Sequence, residues 1–268
     1  MTGGFQGGLQ ILSSVEFVGI ALLAMRVTAL VWSAPIFSSQ RLPAHLKAAI
    51  SVLLIVILRP TAVASAPDDL TLTIETILSE LVVGLALGLG AAVFTGAAEA
   101  AGDLLSVQMG LSGANVVDPM SNTQVPILGQ FLGIFAVALI LGTGGHLMIL
   151  RTFASSLDVV PVGSNIDFSQ GTFVMLRLGS HLLWLGLQFA APVVAAVMIG
   201  NVGLGILART VPQLNVLMVA FPVQIGVGLF VLAAAIPMIA TAFTGWSDQY
   251  GRLADDLLNG LVPAVGGP

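Results

Sequence analysis

Apolar residues along this chain gather into six long runs, separated by short polar or proline-marked interruptions. A bilayer hydrocarbon core about 30 Å thick takes about 20 mostly apolar residues per helix, and each run approaches or exceeds that length. The first covers about 15–37 and carries Arg26; the second covers about 44–58. The third, about 74–98, has Glu80 near its start, and the fourth lies at about 125–150. The fifth, 173–207, is long enough for one bent helix or two short ones, and the sixth, 214–243, holds Pro222 and Pro237. The pattern predicts an all-α membrane protein of about six hydrophobic helical segments, several of them kinked or broken. It predicts a single membrane-embedded domain over 1–268, with a helical core at about 15–245 and a polar, Gly/Pro-ended tail at 246–268 that frays. The leading MTGGFQGGLQ has no basic n-region and no small-residue cleavage site behind a short apolar core, which argues against a removed signal peptide.

Composition points the same way. Only 21 of 268 side chains are charged (8 Lys+Arg and 13 Asp+Glu), which is 8 % against roughly 25 % in soluble domains. With a mean hydropathy of +1.04, a soluble globular enzyme is excluded. The absence of cysteine removes disulfides, Cys-ligated zinc, iron–sulfur clusters and cysteine nucleophiles. A net charge of −5 offers no basic face for nucleic acid. Membrane orientation is not marked: Arg41, Lys47 and Arg209 fall on one side and Arg59, Arg151, Arg177 and Arg252 on the other, so the positive-inside rule gives no bias.

The third run carries the clearest packing signal. Gly84, Gly88, Ala92, Gly96 and Ala100 fall at strict four-residue spacing, a row that lets another backbone approach closely. Packing within the chain accounts for such a row, as does a seam for a neighbouring subunit. Pro192, Pro222 and Pro237 lie inside apolar runs. Each removes a backbone donor, and freed carbonyls at membrane depth are tolerated only against protein or water. Transport folds use broken helices too.

The stretch Gln108-Met109-Gly110-Leu111-Ser112-Gly113-Ala114-Asn115-Val116-Val117-Asp118-Pro119 joins two apolar runs with a single acid in twelve residues. A water-exposed connector would carry more charge, so the composition favours a re-entrant or pore-facing loop over a surface link. Asp118-Pro119 marks a turn, because the residue before proline is pushed out of the helical region. Charges inside apolar runs cost roughly 2.5–3.5 kcal/mol each at the bilayer centre. Arg26 therefore calls for an acidic partner, and Glu80 is either mid-span or an interfacial acid at a helix start, where the macrodipole favours it. Glu99 and Asp103, one turn apart, mark the helix leaving the membrane. His45, His146 and His181 have no i+3 or i+4 partners and no H-E-x-x-H is present, so no metal site is predicted. No nucleotide-binding glycine loop follows a strand, and no cofactor is expected.

In order along the chain stand Arg26, Pro35, Pro43 with Lys47, Arg59-Pro60, Glu80-x-x-x-Gly84-x-x-x-Gly88, Gln108-x-Gly110 leading to Asp118-Pro119, and Gly144-Gly145-His146. Pro161, Pro192, Gly205, Arg209, Val211-Pro212-Gln213-Leu214-Asn215, Phe221-Pro222 and Gly226-x-Gly228 follow. From about 15 to 245 this order resembles the FliR family of flagellar export-gate membrane proteins. Its most specific parts are the Pro212-Gln213-x-Asn215 element with Phe221-Pro222, a motif that Arg209 precedes, and the Gln108-to-Pro119 loop. Injectisome export proteins share the architecture. The resemblance implies one copy assembled helically with FliP-like and FliQ-like subunits around an export pore in the bacterial inner membrane, within the flagellar basal body and contacted by an FlhB-like subunit. It implies that Gln108–Asn122 forms a plug, that secreted flagellar proteins pass through unfolded, and that energy comes from elsewhere, so the chain is no enzyme.

Two rivals follow from the residues. A stand-alone secondary transporter or channel predicts an internal repeat with matched broken helices, of which only Arg41-x-Pro43 and Arg209-x-x-Pro212 give an echo. Gly110-Leu111-Ser112-Gly113 spells the G-x-S-G of rhomboid-like intramembrane serine proteases, with His146 or His181 as a base; Asp118-Pro119 would break the helix that such a serine starts.

Overall fold

The computed structural model describes residues 14–38, 42–67, 70–111, 127–211, 213 and 216–262. Among these residues every regular element is a helix: α1 (Ser14–Ser33), α2 (Ala44–Ser65), α3 (Ile74–Gln108), α4 (Ile127–Gly142), α5 (Gly145–Val159), α6 (Phe168–Thr210), α7 (Val216–Thr244) and α8 (Trp246–Leu261). Five of them are long and apolar enough to cross a membrane, or six spans if the broken pair α4–α5 is one. The chain is thus an all-α membrane protein, as the six runs predict.

Local chemistry sets the ends. α1 stops at Ser33, two residues before Pro35, and α2 starts directly after Pro43, whose φ of −65° suits a helix entrance. α3 opens on a reciprocal cap. The Thr76 N–H donates to Thr73 Oγ1 at 3.2 Å and the Thr73 N–H to Thr76 Oγ1 at 3.0 Å, which satisfies two donors that a bare helix start leaves open. The fourth apolar run breaks at Thr143-Gly144, where Gly144 takes a φ of +76° that ends α4. The fifth run is one helix with Pro192 inside, and the sixth holds Pro222 and Pro237 without ending. At 1.5 Å per residue, the 35 residues of α3 extend about 50 Å and the 43 of α6 about 65 Å, well beyond a hydrocarbon core of about 30 Å.

The described residues fall into two compact units, one within 1–90, 147–175 and 251–268, the other within 91–146 and 176–250. In the first, the start of α3 lies against α1. A Cβ on Gly84 would strike the Arg26 carbonyl and stand 2.8 Å from the Ala29 methyl, and one on Gly88 would collide with the Ser33 hydroxyl. In the second, Gly102 lies against the backbone of Gly129 in α4, and Gly96 and Gly186 mark where α3 meets α6. Lys47 closes the α1–α2 turn by donating to the Ser38 carbonyl at 3.0 Å while sitting over the Trp32 ring.

The tail departs from expectation. Residues 246–261 form α8, whose Trp246, Tyr250, Leu253, Ala254, Leu257, Leu258 and Leu261 are buried, while Asp248, Arg252 and Asp255 face outward. Trp246 stacks on Tyr250 and meets the edge of Phe94. Burial pushes the Tyr250 phenol above its ordinary value, so it stays neutral. Average polarity suggested fraying; the helical spacing of the apolar minority decides otherwise.

Glycines on open faces give the control for the close crossing. Gly84→Leu should destabilise the solubilised chain by about 3 kcal/mol or prevent folding, because overpacking here meets backbone. Gly203→Leu, with nothing within 4 Å of a Cβ, should change stability by no more than about 0.5 kcal/mol. Thermal unfolding in detergent checks this; equal melting of the two variants would show that Gly84 does not set the crossing.

Candidate functional site

Two constellations stand out, one in each unit. In the first unit, Arg26 of α1 and Glu80 of α3 are fully buried. Arg26 Nε donates to Glu80 Oε2 at 2.5 Å and Nη2 to Oε1 at 3.1 Å, a two-point contact that fixes both planes. Arg26 Nη1 donates to the Val160 carbonyl at 2.9 Å and lies 3.4 Å from the Ser156 carbonyl. Glu80 Oε1 also accepts the Gly163 N–H at 2.8 Å. Gly163 has a φ of +80°, and a Cβ there would overlap the Leu70 side chain, so glycine is required by backbone and by space. The pair therefore fastens α1 and α3 to the end of α5 and to the turn after it.

In the second unit, α3 ends at an uncharged stop. Met109 N–H donates to Leu105 O at 2.9 Å and Gly110 N–H to Val107 O at 3.0 Å, with Gly110 at φ +74°, a left-handed helix end. Phe221 of α7 occupies the space next to Gly110: a Cβ there would stand 2.7 Å from the ring. Met109 is fully buried, its side chain lying over Gly228 of α7, where a Cβ would stand 2.5 Å from Cε and 2.7 Å from the sulfur. Between these contacts, Gln224 Nε2 donates to Asn201 Oδ1 of α6 at 2.6 Å. Gln108 is half-buried and Leu111 exposed. Ser112, Gly113, Asp118 and Pro119 lie outside the described residues, as do Pro212 and Asn215.

Of the small-residue row, Gly84 and Gly88 face α1; Gly96 and Ala100 face α6, near Leu182 and Gly186. Ala92 is half-buried. Arg209, Gln213, Phe221 and Pro222 are exposed. His45 and His181 are exposed, and the Nδ1 of His146 is enclosed without a partner. Among the described residues no group of three His, Cys, Asp or Glu side chains could hold a metal ion. Sequence reasoning missed the contact of Met109 with Gly228 and the Asn201–Gln224 bond. Gly226-x-Gly228 was the available signal, since an intrahelical glycine often marks a close approach. The carboxylate of Asp103 lies over Gly129, with Oδ1 enclosed and without a hydrogen-bond partner.

Residues 17–250 match the family model of the bacterial export proteins, family 1. The chain is 30 % identical over 238 residues to flagellar biosynthetic protein FliR of Escherichia coli (strain K12), covering 88 % of this chain and 91 % of that protein. It is 31 % identical over 229 residues to the FliR of Bacillus subtilis (strain 168), covering 83 % and 88 %. With the FliR of Caulobacter vibrioides the identity is 26 % over 238 residues, covering 88 % and 94 %.

The buried pair yields an asymmetric prediction. Glu80→Ala leaves the guanidinium enclosed without its acid and should cost about 3–5 kcal/mol, while Arg26→Met combined with Glu80→Leu should cost much less. Unfolding of the solubilised protein measures both. A double variant as damaged as the single one would mean that the backbone bonds of Arg26, not its charge, hold the turn.

Proposed function

The chain belongs to the bacterial export proteins, family 1, the family of flagellar biosynthetic protein FliR, and on that premise we propose that it is a non-enzymatic subunit of the flagellar type III export gate. At the coarser level it is a membrane-embedded component of the flagellar export apparatus. In the proposed role it sits in the inner membrane within the basal body. There it lines a pore for unfolded flagellar proteins together with FliP-like and FliQ-like subunits, beside an FlhB-like one. Residues 108–122 form the plug that closes the pore at rest.

The observation that carries this reading is the end of α3. A 35-residue apolar helix stops at a buried methionine and a left-handed glycine, and the next fifteen residues hold a single charge, Asp118. A connector in water has no reason to avoid charge; a seal does, because a fixed charge would draw ions and water into it. The interior prolines support a multi-chain setting. Pro60, Pro192, Pro222 and Pro237 deprive the carbonyls of Val56, Gln188, Met218 and Ala233 of their helical donors, and such groups need protein or water rather than lipid. Only 17 % of the residues in the most apolar stretch of α2, and likewise of α7, are buried within this chain, which leaves most of those side chains for lipid and other chains.

Removing residues 110–117 should leave assembly with FliP-like and FliQ-like partners intact, as read by the mass of the purified complex, and make the membrane leaky to small ions. An assembled deletion variant with unchanged permeability would reject the plug.

A further inference from the structure

The contacts of Met109 and Gly110 are made on one face of α7, at Phe221, Gln224 and Gly228, which share that face by their i, i+3, i+7 spacing. We propose that this face is a seat that positions the plug: Gly228 supplies a notch for the Met109 side chain, Phe221 covers Gly110, and α7 thereby sets the point at which the loop leaves α3. The inference rests on the plug reading and adds positioning residues to it.

Three features distinguish a seat from ordinary packing. The shape match is one-sided, since Gly228 is empty where Met109 is long, and a methionine fills such a gap because its unbranched chain adapts. The helix end is fixed by its own geometry, because Gly110 holds a φ of +74° with a ring where a side chain would go. The seat is tied from behind: Gln224 donates to Asn201 Oδ1 of α6 at 2.6 Å, which holds the α7 face against α6 without placing a charge beside the notch. Phe221 itself stays 44 % exposed, so the seat lies at the surface of this chain.

A size exchange tests the seat in the assembled complex. Gly228→Leu should displace Met109, and Met109→Ala should leave the notch unfilled; each should raise resting sodium permeability roughly tenfold, the factor that a shift of about 1.4 kcal/mol between closed and open populations gives. Combined, Met109→Ala with Gly228→Leu conserves volume and should return permeability to the starting level. Restoration by the second change is the signature of a fitted contact; mere loss of structure would add. A sealed Gly228→Leu complex, or a double variant as leaky as the singles, would overturn the seat. Where Gly228→Leu lowers complex yield, Gly228→Ala, opposed only by the flexible Met109 side chain, is read in the same way. The 110–117 deletion keeps the two ideas apart. A sealed deletion removes the plug itself, whereas a leaky deletion beside a sealed Gly228→Leu complex removes the seat alone.

Discussion

The first unit depends on a buried charge pair. Arg26 and Glu80 are fully enclosed in a chain that is only 8 % charged, and each alone would cost roughly 2.5–3.5 kcal/mol at membrane depth. Together they cancel, and the surplus bonding capacity of each goes to backbone: Arg26 to the Val160 carbonyl and Glu80 to the Gly163 N–H. A buried ion pair is stabilising only when its remaining donors and acceptors are met in this way. The consequence is positional. An uncharged core could slide by a residue at modest cost, whereas this pair forms only when α1, α3 and the turn after α5 are all in register. Gly84, one turn beyond Glu80, is the geometric partner of that arrangement, because it lets the α3 backbone come up to the Arg26 carbonyl and so shortens the span that the guanidinium must reach.

The row at four-residue spacing then takes on two local meanings. Its early members, Gly84 and Gly88, serve the crossing with α1; its later members, Gly96 and Ala100, lie near Leu182 and Gly186 of α6. Tightness differs along it. Gly84 meets backbone, which cannot retreat, while Gly96 meets only the tip of Leu182, at 3.2 Å from a Cβ. Without a hydrophobic drive between helices in lipid, packing of this closeness and polar bonds carry association; within the row the α1 crossing is the tighter one, while Gly102, off the row, brings α3 as close to the backbone of α4.

Much of the fold was legible because apolar run length is a direct physical requirement of the bilayer, and all six runs correspond to helices or, at Thr143-Gly144, to a broken pair. The ends were less legible. α2 runs through Pro60 to Ser65 and α3 continues to Gln108, past residues whose polarity suggested an exit from the membrane. A helix needs only satisfied backbone to continue, and water supplies that as well as protein does. α8 was misread because composition hides periodicity: three acids and one arginine among sixteen residues share a chain segment with a continuous apolar face. At the candidate site, the need of Arg26 for an acid followed from the cost of an isolated charge, but its backbone partners 130 residues away did not, since carbonyls carry no sequence signature. The stop at Gly110 was readable from its glycine; the identity of what covers it was not.

The same logic explains why the α7 face can be polar without being charged. Two prolines, Pro222 and Pro237, weaken the internal ladder of α7, so its shape has to be held from outside. One such hold is the amide pair Gln224–Asn201, which ties α7 to α6. An ion pair in that place would be stronger, but in the proposed role its field would attract counter-ions to the rim of the seal. An amide pair joins the two helices by a hydrogen bond and carries no net charge. A buried ion pair at the α1–α3 crossing and an amide pair on the face that meets Met109 and Gly110 therefore separate two demands, register in one unit and, in the proposed role, exclusion of ions in the other, that one kind of side chain could not meet together.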